Sequence, residues 1–110
     1  MRFKYATLLF ATIASAGGCA RQGGVPREVS GVKIVEDKEG LWARATLAPD
    51  SAIKIALARV PGGKITEAEL EEEDNRLIYS FEIKVAGKTG EDEVHVDATT
   101  GEVLKTEHEG

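Results

Sequence analysis

The chain has 110 residues, of which 30% are charged and 42% are apolar, and its formal net charge is −5. These proportions exclude collagen-like and low-complexity chains, and the acidic balance argues against nucleic-acid binding, which needs clustered Lys and Arg. The single Cys excludes an internal disulfide and a Cys-based zinc site.

The first predicted element is an export signal. Arg2 and Lys4 precede the uncharged, largely apolar run Tyr5–Ala16, and a helix of that length spans about 18 Å, well short of a hydrocarbon core of ~30 Å. A basic start, a short apolar run and then small residues are typical of a secretory signal peptide. We therefore predict a signal peptide at residues 1–18 and export to the periplasm or cell envelope.

Two cleavage sites compete at the end of this segment. Ala14-Ser15-Ala16 fits the small-x-small rule of ordinary signal peptidase. Ala16-Gly17-Gly18-Cys19 resembles a bacterial lipobox, with Ala16 in place of the usual Leu. In the second case Cys19 becomes the lipidated first residue and anchors the protein to the membrane. The position of the sole Cys at this boundary favours lipidation, and a free Cys in a disordered start is the alternative.

Residues 19–45 are predicted to form a linker and an N-terminal extension. Ala20–Glu28 contains Gly, Arg and Pro and is typical of a linker. Val29–Val35 alternates weakly, which favours a strand. The only Trp, Trp42, is expected to plug the edge of the core, with an exposed contact residue as the alternative.

A three-turn amphipathic helix is predicted next. Pro49 fits the first helical position, and Asp50 is favourable at the positive end of the helix dipole. An apolar stripe recurs at helical spacing and consists of Ile53, Ala56, Leu57 and Val60. Pro61-Gly62-Gly63 is expected to end the helix.

The following segment predicts a β-hairpin. Alternate residues of Leu77–Val85 are apolar, and Asp74-Asn75 can form a two-residue turn because both residues tolerate positive φ. The resulting register places three pairs on one buried face, namely Leu70–Tyr79, Ala68–Phe81 and Thr66–Ile83. The charged outer face of Lys64–Glu73 suits an edge strand that is guarded against further pairing.

A second hairpin is predicted around Thr99-Thr100-Gly101, a three-residue loop with Gly in the left-handed position. Its register places two cross-strand pairs on the core side, Val96 with Leu104 and Val94 with Thr106. Two further pairs lie on the solvent side, His95 with Lys105 and Asp97 with Val103. The predicted fold is one α+β domain at residues 46–107, in which the helix packs on a four-stranded antiparallel β-meander. Residues 108–110 are expected to be a tail.

Four blocks of this pattern carry a family resemblance. They are the helix Ala52–Leu57, the turn Val60–Lys64, the strand Leu77–Ile83 and the run Val94–Leu104, of which the last is the most specific, and the short block Ala68–Leu70 accompanies them. Together they resemble the PepSY domain, found in secreted bacterial proteins and in propeptides of thermolysin-like metalloproteases. The resemblance covers Thr46–Glu107 and implies a module that binds and inhibits, or otherwise regulates, peptidases outside the cytoplasm. It implies no reactive residue, because the motif positions are those assigned to core and turns.

Two groups of side chains are candidates for metal binding. His95 and Asp97, with Glu93 nearby, are spaced to share a metal on one strand, but Lys105 opposite His95 favours a solvated strand face instead. The run Glu71–Asp74 offers carboxylates for Ca²⁺ but lacks the alternating ligands and Gly of a calcium loop. We interpret it as a soluble hairpin tip and predict no metal and no cofactor.

The serines and histidines do not predict a nucleophile–base pair. Ser30, Ser51 and Ser80 have no G-x-S-x-G setting, and His108 lies in the expected tail. Gly62-Gly63-Lys64 lacks the rest of a P-loop. A domain of about 65 residues also leaves little room for a catalytic cleft, so an enzyme is the least favoured class and no catalytic residue is predicted.

The preferred function is a cell-envelope module whose partner is a secreted or envelope peptidase or another envelope protein. The alternative is a binding or spacer module for a small ligand, a metal or an envelope polymer. The membrane is a further partner if Cys19 is acylated.

Overall fold

The computed structural model describes residues 24–110, and the predicted signal peptide and Cys19 lie outside the described residues. The described chain contains one α-helix, α1 (Pro49–Arg59), a short 3-10 helix (Trp42–Arg44) and six strands. The strands are β1 (Pro26–Val29), β2 (Val32–Glu36), β3 (Gly63–Glu73), β4 (Arg76–Val85), β5 (Glu91–Asp97) and β6 (Val103–Glu109). Within this part of the chain no helix is long and apolar enough to cross a membrane.

All six strands join one sheet in the order β1-β2-β3-β4-β5-β6. The α+β class with one helix on a sheet is confirmed, but the expectation of four antiparallel strands is wrong. Two N-terminal strands extend the sheet, and β2 pairs with β3 in parallel. The parallel pairing is possible because the 3-10 helix and α1 lie between β2 and β3, and a parallel pair needs such a crossover connection.

The predicted linker contributes to this sheet. β1 begins at Pro26, inside the segment Ala20–Glu28 that the sequence assigns to a linker. Ser30 and Gly31 turn the chain into β2 with φ values of 51° and 79°. The linker prediction fails here because β1 has only four residues, three of them exposed, and therefore no apolar alternation to detect.

A buried carboxylate fixes the start of the described chain. Glu36, which is 2% exposed, accepts hydrogen bonds from the backbone N–H of Val25 at 2.9 Å and of Trp42 at 3.0 Å. The Trp42 indole N–H donates to the Val25 carbonyl at 2.7 Å. The Trp42 ring also lies 6.4 Å from the ring of Tyr79 and 4.4 Å from the Arg27 guanidinium. The predicted role of Trp42 at the edge of the core is confirmed, and we call Glu36, Val25 and Trp42 the N-terminal clasp.

The helix α1 begins at Pro49, as predicted, and ends before Pro61. Its buried face consists of Ala52, Ile53 and Ala56, and Val60 follows in the core. This face packs on the inner face of the sheet, most extensively against β5. Leu57, a member of the predicted stripe, is only partly buried.

The first predicted hairpin places its apolar residues in the core. Tyr79, Phe81 and Ile83 are fully buried, as expected. The pairs Leu70–Tyr79 and Ala68–Phe81 are confirmed, whereas the pair Thr66–Ile83 is wrong because a bulge shifts the register and Ile65 lies opposite Ile83. A bulge places two residues opposite one and so shifts the alternation beyond it, which puts Ile65 and not Thr66 on the core face.

The second predicted hairpin has the same kind of error. The pairs Val94–Thr106 and His95–Lys105 are confirmed, but Val96 lies opposite Val103 and not opposite Leu104, because a bulge follows His95. The expected pair Asp97–Val103 is therefore also wrong, and the Asp97 N–H donates to the Glu102 carbonyl at 2.8 Å. The expected tail is wrong as well, since β6 continues to Glu109.

Candidate functional site

The outer face of the sheet, opposite α1, carries four aligned glutamates. Glu67 lies opposite Glu82, Glu82 opposite Glu93, and Glu93 opposite Glu107. Like charges directly opposite each other on neighbouring strands destabilise a sheet. We call these four residues the glutamate row. The side chains around Glu82 and Glu93 shift the pKa values of these two carboxyl groups in opposite directions.

Two nitrogen-bearing side chains, those of His95 and Lys105, bind one side of the glutamate row. His95 Nε2 lies 2.9 Å from one carboxylate oxygen of Glu93, and Lys105 Nζ lies 3.1 Å from the other. Lys105 Nζ also lies 3.1 Å from the Glu107 carboxylate. The hydrogen bond from His95, helped by that from Lys105, lowers the pKa of Glu93 despite its partial burial. Glu93 therefore remains an ionised acceptor at neutral pH.

The expected solvent exposure of His95 and Asp97 is wrong, because both are more than nine-tenths buried. They lie on β5 between β4 and β6, and His95 has Ser80 on one side and Lys105 on the other. The Asp97 carboxylate accepts the backbone N–H groups of Thr99 at 2.7 Å and Thr100 at 2.9 Å, and it lies 3.6 Å from Arg76. Burial alone would raise the pKa of Asp97, but these donors and the Arg76 charge lower it below its usual value.

At Glu82, on the other side of the glutamate row, the neighbouring groups raise the carboxyl pKa instead of lowering it. A hydrogen bond to Glu91, together with burial and the charge of Glu67, raises the pKa of Glu82 to about 7. The Thr66 hydroxyl donates to the Glu91 carboxylate at 2.8 Å. Two carboxyl groups that share a hydrogen bond hold one proton between them. Glu82 thus changes its charge within the neutral range.

This shift predicts a pH dependence of stability. Because the folded pKa of Glu82 exceeds its usual value of 4.5, the folded state binds more protons between the two values, and the free energy of unfolding falls as pH rises through them. Replacing Glu82 with Gln removes this titration and the like-charge contact. We expect Glu82→Gln to raise Tm at pH 8 by about 2–4 °C and to flatten the decline between pH 5 and pH 8, measured by circular dichroism.

The matched control is Glu28→Gln, which changes an exposed carboxylate on β1 far from the row in the strand order. This variant should keep the pH slope of the wild type. An unchanged slope in Glu82→Gln would show that the shared proton does not affect folding.

Three carboxylates approach closely enough to hold a cation. Oxygen atoms of Glu93, Glu107 and Glu109 lie within 4.8 Å of one another, and carboxylate oxygens are ligands for hard cations. Glu93 in this group is already bonded to His95 and Lys105. The two residues of the candidate metal pair, His95 and Asp97, form hydrogen bonds with different partners. The His95 imidazole is bound to Glu93, and the Asp97 carboxylate accepts a backbone N–H of the following loop.

The structure places one of the candidate serines opposite a histidine. Ser80 is the ladder partner of His95, but its hydroxyl hydrogen-bonds to Glu71. His108 lies on β6, and its Nδ1 lies 2.8 Å from the carboxylate of Asp92 on β5. The remaining candidates lie in the β1–β2 turn and in the first turn of α1, at Ser30 and Ser51. Within residues 24–110 no serine therefore has a histidine as its hydrogen-bond partner.

The acidic hairpin tip is a turn with salt bridges at its base. Asp74 and Asn75 have φ values of 52° and 64°, which confirms the predicted two-residue turn. The Glu72 carboxylate lies 2.8 Å from Arg44 and 3.1 Å from Lys38. The tip is therefore joined to the segment that precedes α1.

Comparison with known proteins agrees with this architecture. The family model PepSY, described as the peptidase propeptide and YPEB domain, matches residues 46–107, more than half of the chain. The match runs from just before α1 into β6 and leaves β1 and β2 outside. No curated protein and no solved structure matches the chain.

Proposed function

The chain belongs to the PepSY family, and on that premise we propose that it is a non-enzymatic cell-envelope module that binds a secreted or envelope peptidase, or another envelope protein, and restrains its activity. PepSY domains are non-catalytic propeptide and regulatory modules associated with peptidases. The family match over residues 46–107 is the observation that carries the proposal. The side-chain network of the outer face is compatible with it, because the buried His95 imidazole is bound to Glu93 and the buried Asp97 carboxylate accepts the Thr99 N–H.

Sheet edges provide the physical route to a partner. The outer strands β1 and β6 each have a neighbour on one side only. An extended segment of another protein can add to such an edge through backbone hydrogen bonds, with side-chain pockets giving specificity. The acidic hairpin tip at Glu71–Asp74 offers a second contact surface for a basic partner.

Export and anchoring are part of the proposal. The signal peptide at residues 1–18 and the lipobox-like run that ends at Cys19 support delivery to the periplasm or cell envelope. The intact mass of the protein from its native host tests this part. A diacylated or triacylated Cys19 would support anchoring, whereas an unmodified chain that begins after Ala16 would contradict anchoring and leave export standing.

Inhibition is tested with purified secreted peptidases of the native host. We expect the full chain to lower the kcat/KM of one of them toward a peptide substrate, in proportion to complex formation measured by calorimetry. Phe81→Ala serves as the unfolded control and should not inhibit. If no secreted or envelope peptidase is slowed and a pull-down from envelope extract recovers no partner, the proposed function is wrong.

A further inference from the structure

Part of β3 has no neighbour on the side that faces β2. Although β3 begins at Gly63, β2 pairs with it only through Ile34–Glu36 and Ala68–Leu70. On the other side, β4 follows β3 as far as Gly63. The backbone groups of Lys64–Glu67 that point toward β2 therefore have no ladder partner among the described strands, and a bulge lies in this segment between Ile65 and Glu67.

An apolar groove of about 450 Å³ adjoins this open edge. Its walls are α1, the β1–β2 turn and the start of β3. The apolar lining consists of Val32, Ile53, Leu57 and Ile65, of which only Ile53 is fully buried. We call the groove together with the open edge of Lys64–Glu67 the β3 notch. A strand added at the edge would point an apolar side chain toward this lining.

The charges around the β3 notch differ from those of the outer face. Lys54 on α1 and Lys64 on β3 line the groove, and both are exposed. Neither lysine forms an ion pair within residues 24–110. Asp50 also lines the groove, and its carboxylate accepts the Ser51 N–H at 3.0 Å. Within the described residues, the groove lining thus carries two lysines and one carboxylate beside an apolar surface, a net positive charge in a chain of net charge −5.

We propose that the β3 notch is the docking site for an extended segment of the partner protein that carries a large apolar side chain flanked by carboxylates. The segment pairs its backbone with Lys64–Glu67 and inserts its apolar side chain against Leu57 and Ile65. Its carboxylates meet Lys54 and Lys64, while the acidic remainder of the surface repels them. The inference rests on the proposed function and specifies the surface and the partner chemistry.

The two outer edges of the sheet fit such a segment less well. β1 has four residues and starts with Pro26, which has no N–H to donate. β6 has seven residues, but a pocket beside it is lined by Gly87, Lys88, Thr89, Asp92 and His108 and offers no apolar side chain. The β3 notch is the edge where an apolar pocket and complementary charge coincide.

A titration of the isotope-labelled full chain, followed by NMR, tests the inference. The probe is the end-capped hexapeptide Asp-Glu-Leu-Phe-Asp-Glu, and the control peptide has Lys at the four acidic positions. We expect only the acidic peptide to shift the amide resonances of Gly31, Val32 and Ile65 and to slow hydrogen exchange at Lys64–Glu67. The double variant Lys54→Glu/Lys64→Glu should weaken binding about tenfold, since two exposed contacts are lost and reversed.

The matched control is Lys33→Glu/Lys88→Glu, which makes the same charge change outside the notch and should bind within about twofold of the wild type. Equal binding of both peptides, resonance shifts confined to another surface, or equal effects of the two double variants would overturn the inference. Two further outcomes would also overturn it. If the notch resonances shift with protein concentration without any peptide, the notch binds a second copy of the chain. If they show NMR contacts to residues 1–23, the notch binds the start of this same chain.

The peptidase assay separates this inference from the proposed function. If Lys54→Glu/Lys64→Glu inhibits the peptidase as the wild type does, the partner docks elsewhere and the notch inference fails while the function stands. If the wild-type chain inhibits no peptidase but binds the acidic peptide in the notch, the function fails and the surface assignment stands.

Discussion

Replacing Phe81 with Ala is expected to lower the free energy of unfolding by about 3–5 kcal/mol. Phe81 is fully buried on β4, opposite Ala68 on β3 and Val94 on β5, and its ring centroid lies 6.2 Å from that of Tyr79. Truncation leaves a cavity under α1 that the sheet ladder on both sides cannot close. Since native proteins have a total stability of about 5–15 kcal/mol, this one change removes a large share of it, and a domain at the low end of that range unfolds.

Thermal melts followed by circular dichroism measure this effect. A loss of 3 kcal/mol corresponds to a fall in Tm of at least about 12 °C for a domain of this size. Phe81→Leu fills most of the same space and should lose less than about 1.5 kcal/mol. A Phe81→Ala melt that coincides with that of the wild type would contradict the assignment of Phe81 to the centre of the core.

The predictable part of the fold is the part with a strong local pattern. Leu77–Val85 alternates over nine residues, and Asp74-Asn75 defines where the chain turns, so the pairing of β3 with β4 follows from the sequence. The bulges near Thr66 and Leu104 could not be predicted, because an inserted residue leaves the alternation on either side intact. β1 is too short and too exposed to show any alternation.

The burial of His95 and Asp97 was also inaccessible to a local pattern. Alternation correctly places both side chains on the face opposite Val94 and Val96, but it does not show whether that face is covered. Coverage depends on how the neighbouring strands β4 and β6 assemble around β5, which the alternation within β5 does not report. A hint was present in Asp97 followed by Thr99-Thr100, since Asp commonly caps the backbone of a following turn.

The glutamate row was predictable only at its two ends. The confirmed registers of the two hairpins imply the pairs Glu67–Glu82 and Glu93–Glu107. The central pair, Glu82–Glu93, depends on the loop between β4 and β5, whose length and Gly content do not define a register. The row as a whole, and the shared proton at Glu82, therefore emerge only from the assembled sheet.

The molecule has two chemically different regions that suit a regulatory module. The outer face concentrates carboxylates and uses His95 and Lys105 to hold them, whereas the β3 notch offers apolar surface with unpaired lysines. An acidic partner segment is therefore directed to one place, since like-charge juxtaposition excludes it from the outer face. Specificity in such a small domain comes from this contrast and not from the size of the contact area.

Replacing Glu36 with Ala is expected to lower the free energy of unfolding by about 2–4 kcal/mol. The Glu36 carboxylate accepts the N–H groups of Val25 and Trp42 in a site that is 2% exposed, so its removal leaves two donors without a partner. Burial would raise the pKa of Glu36, but these donors lower it below its usual value. The contribution is therefore present above the unfolded-state pKa and is lost as pH falls through the folded pKa.

The N-terminal clasp contains the only Trp of the chain, so fluorescence reports on it directly. Loss of the clasp should expose Trp42, shift its emission to longer wavelength and make β1 sensitive to proteolysis at native temperature. Asp37→Ala removes the neighbouring exposed carboxylate and should keep the wild-type emission. The acid side of the stability profile should also flatten in Glu36→Ala, because the variant has no such carboxylate to protonate. If the emission and the melt both stay at their wild-type values, the clasp does not hold β1 on the sheet, and the folded unit is smaller than the six strands indicate.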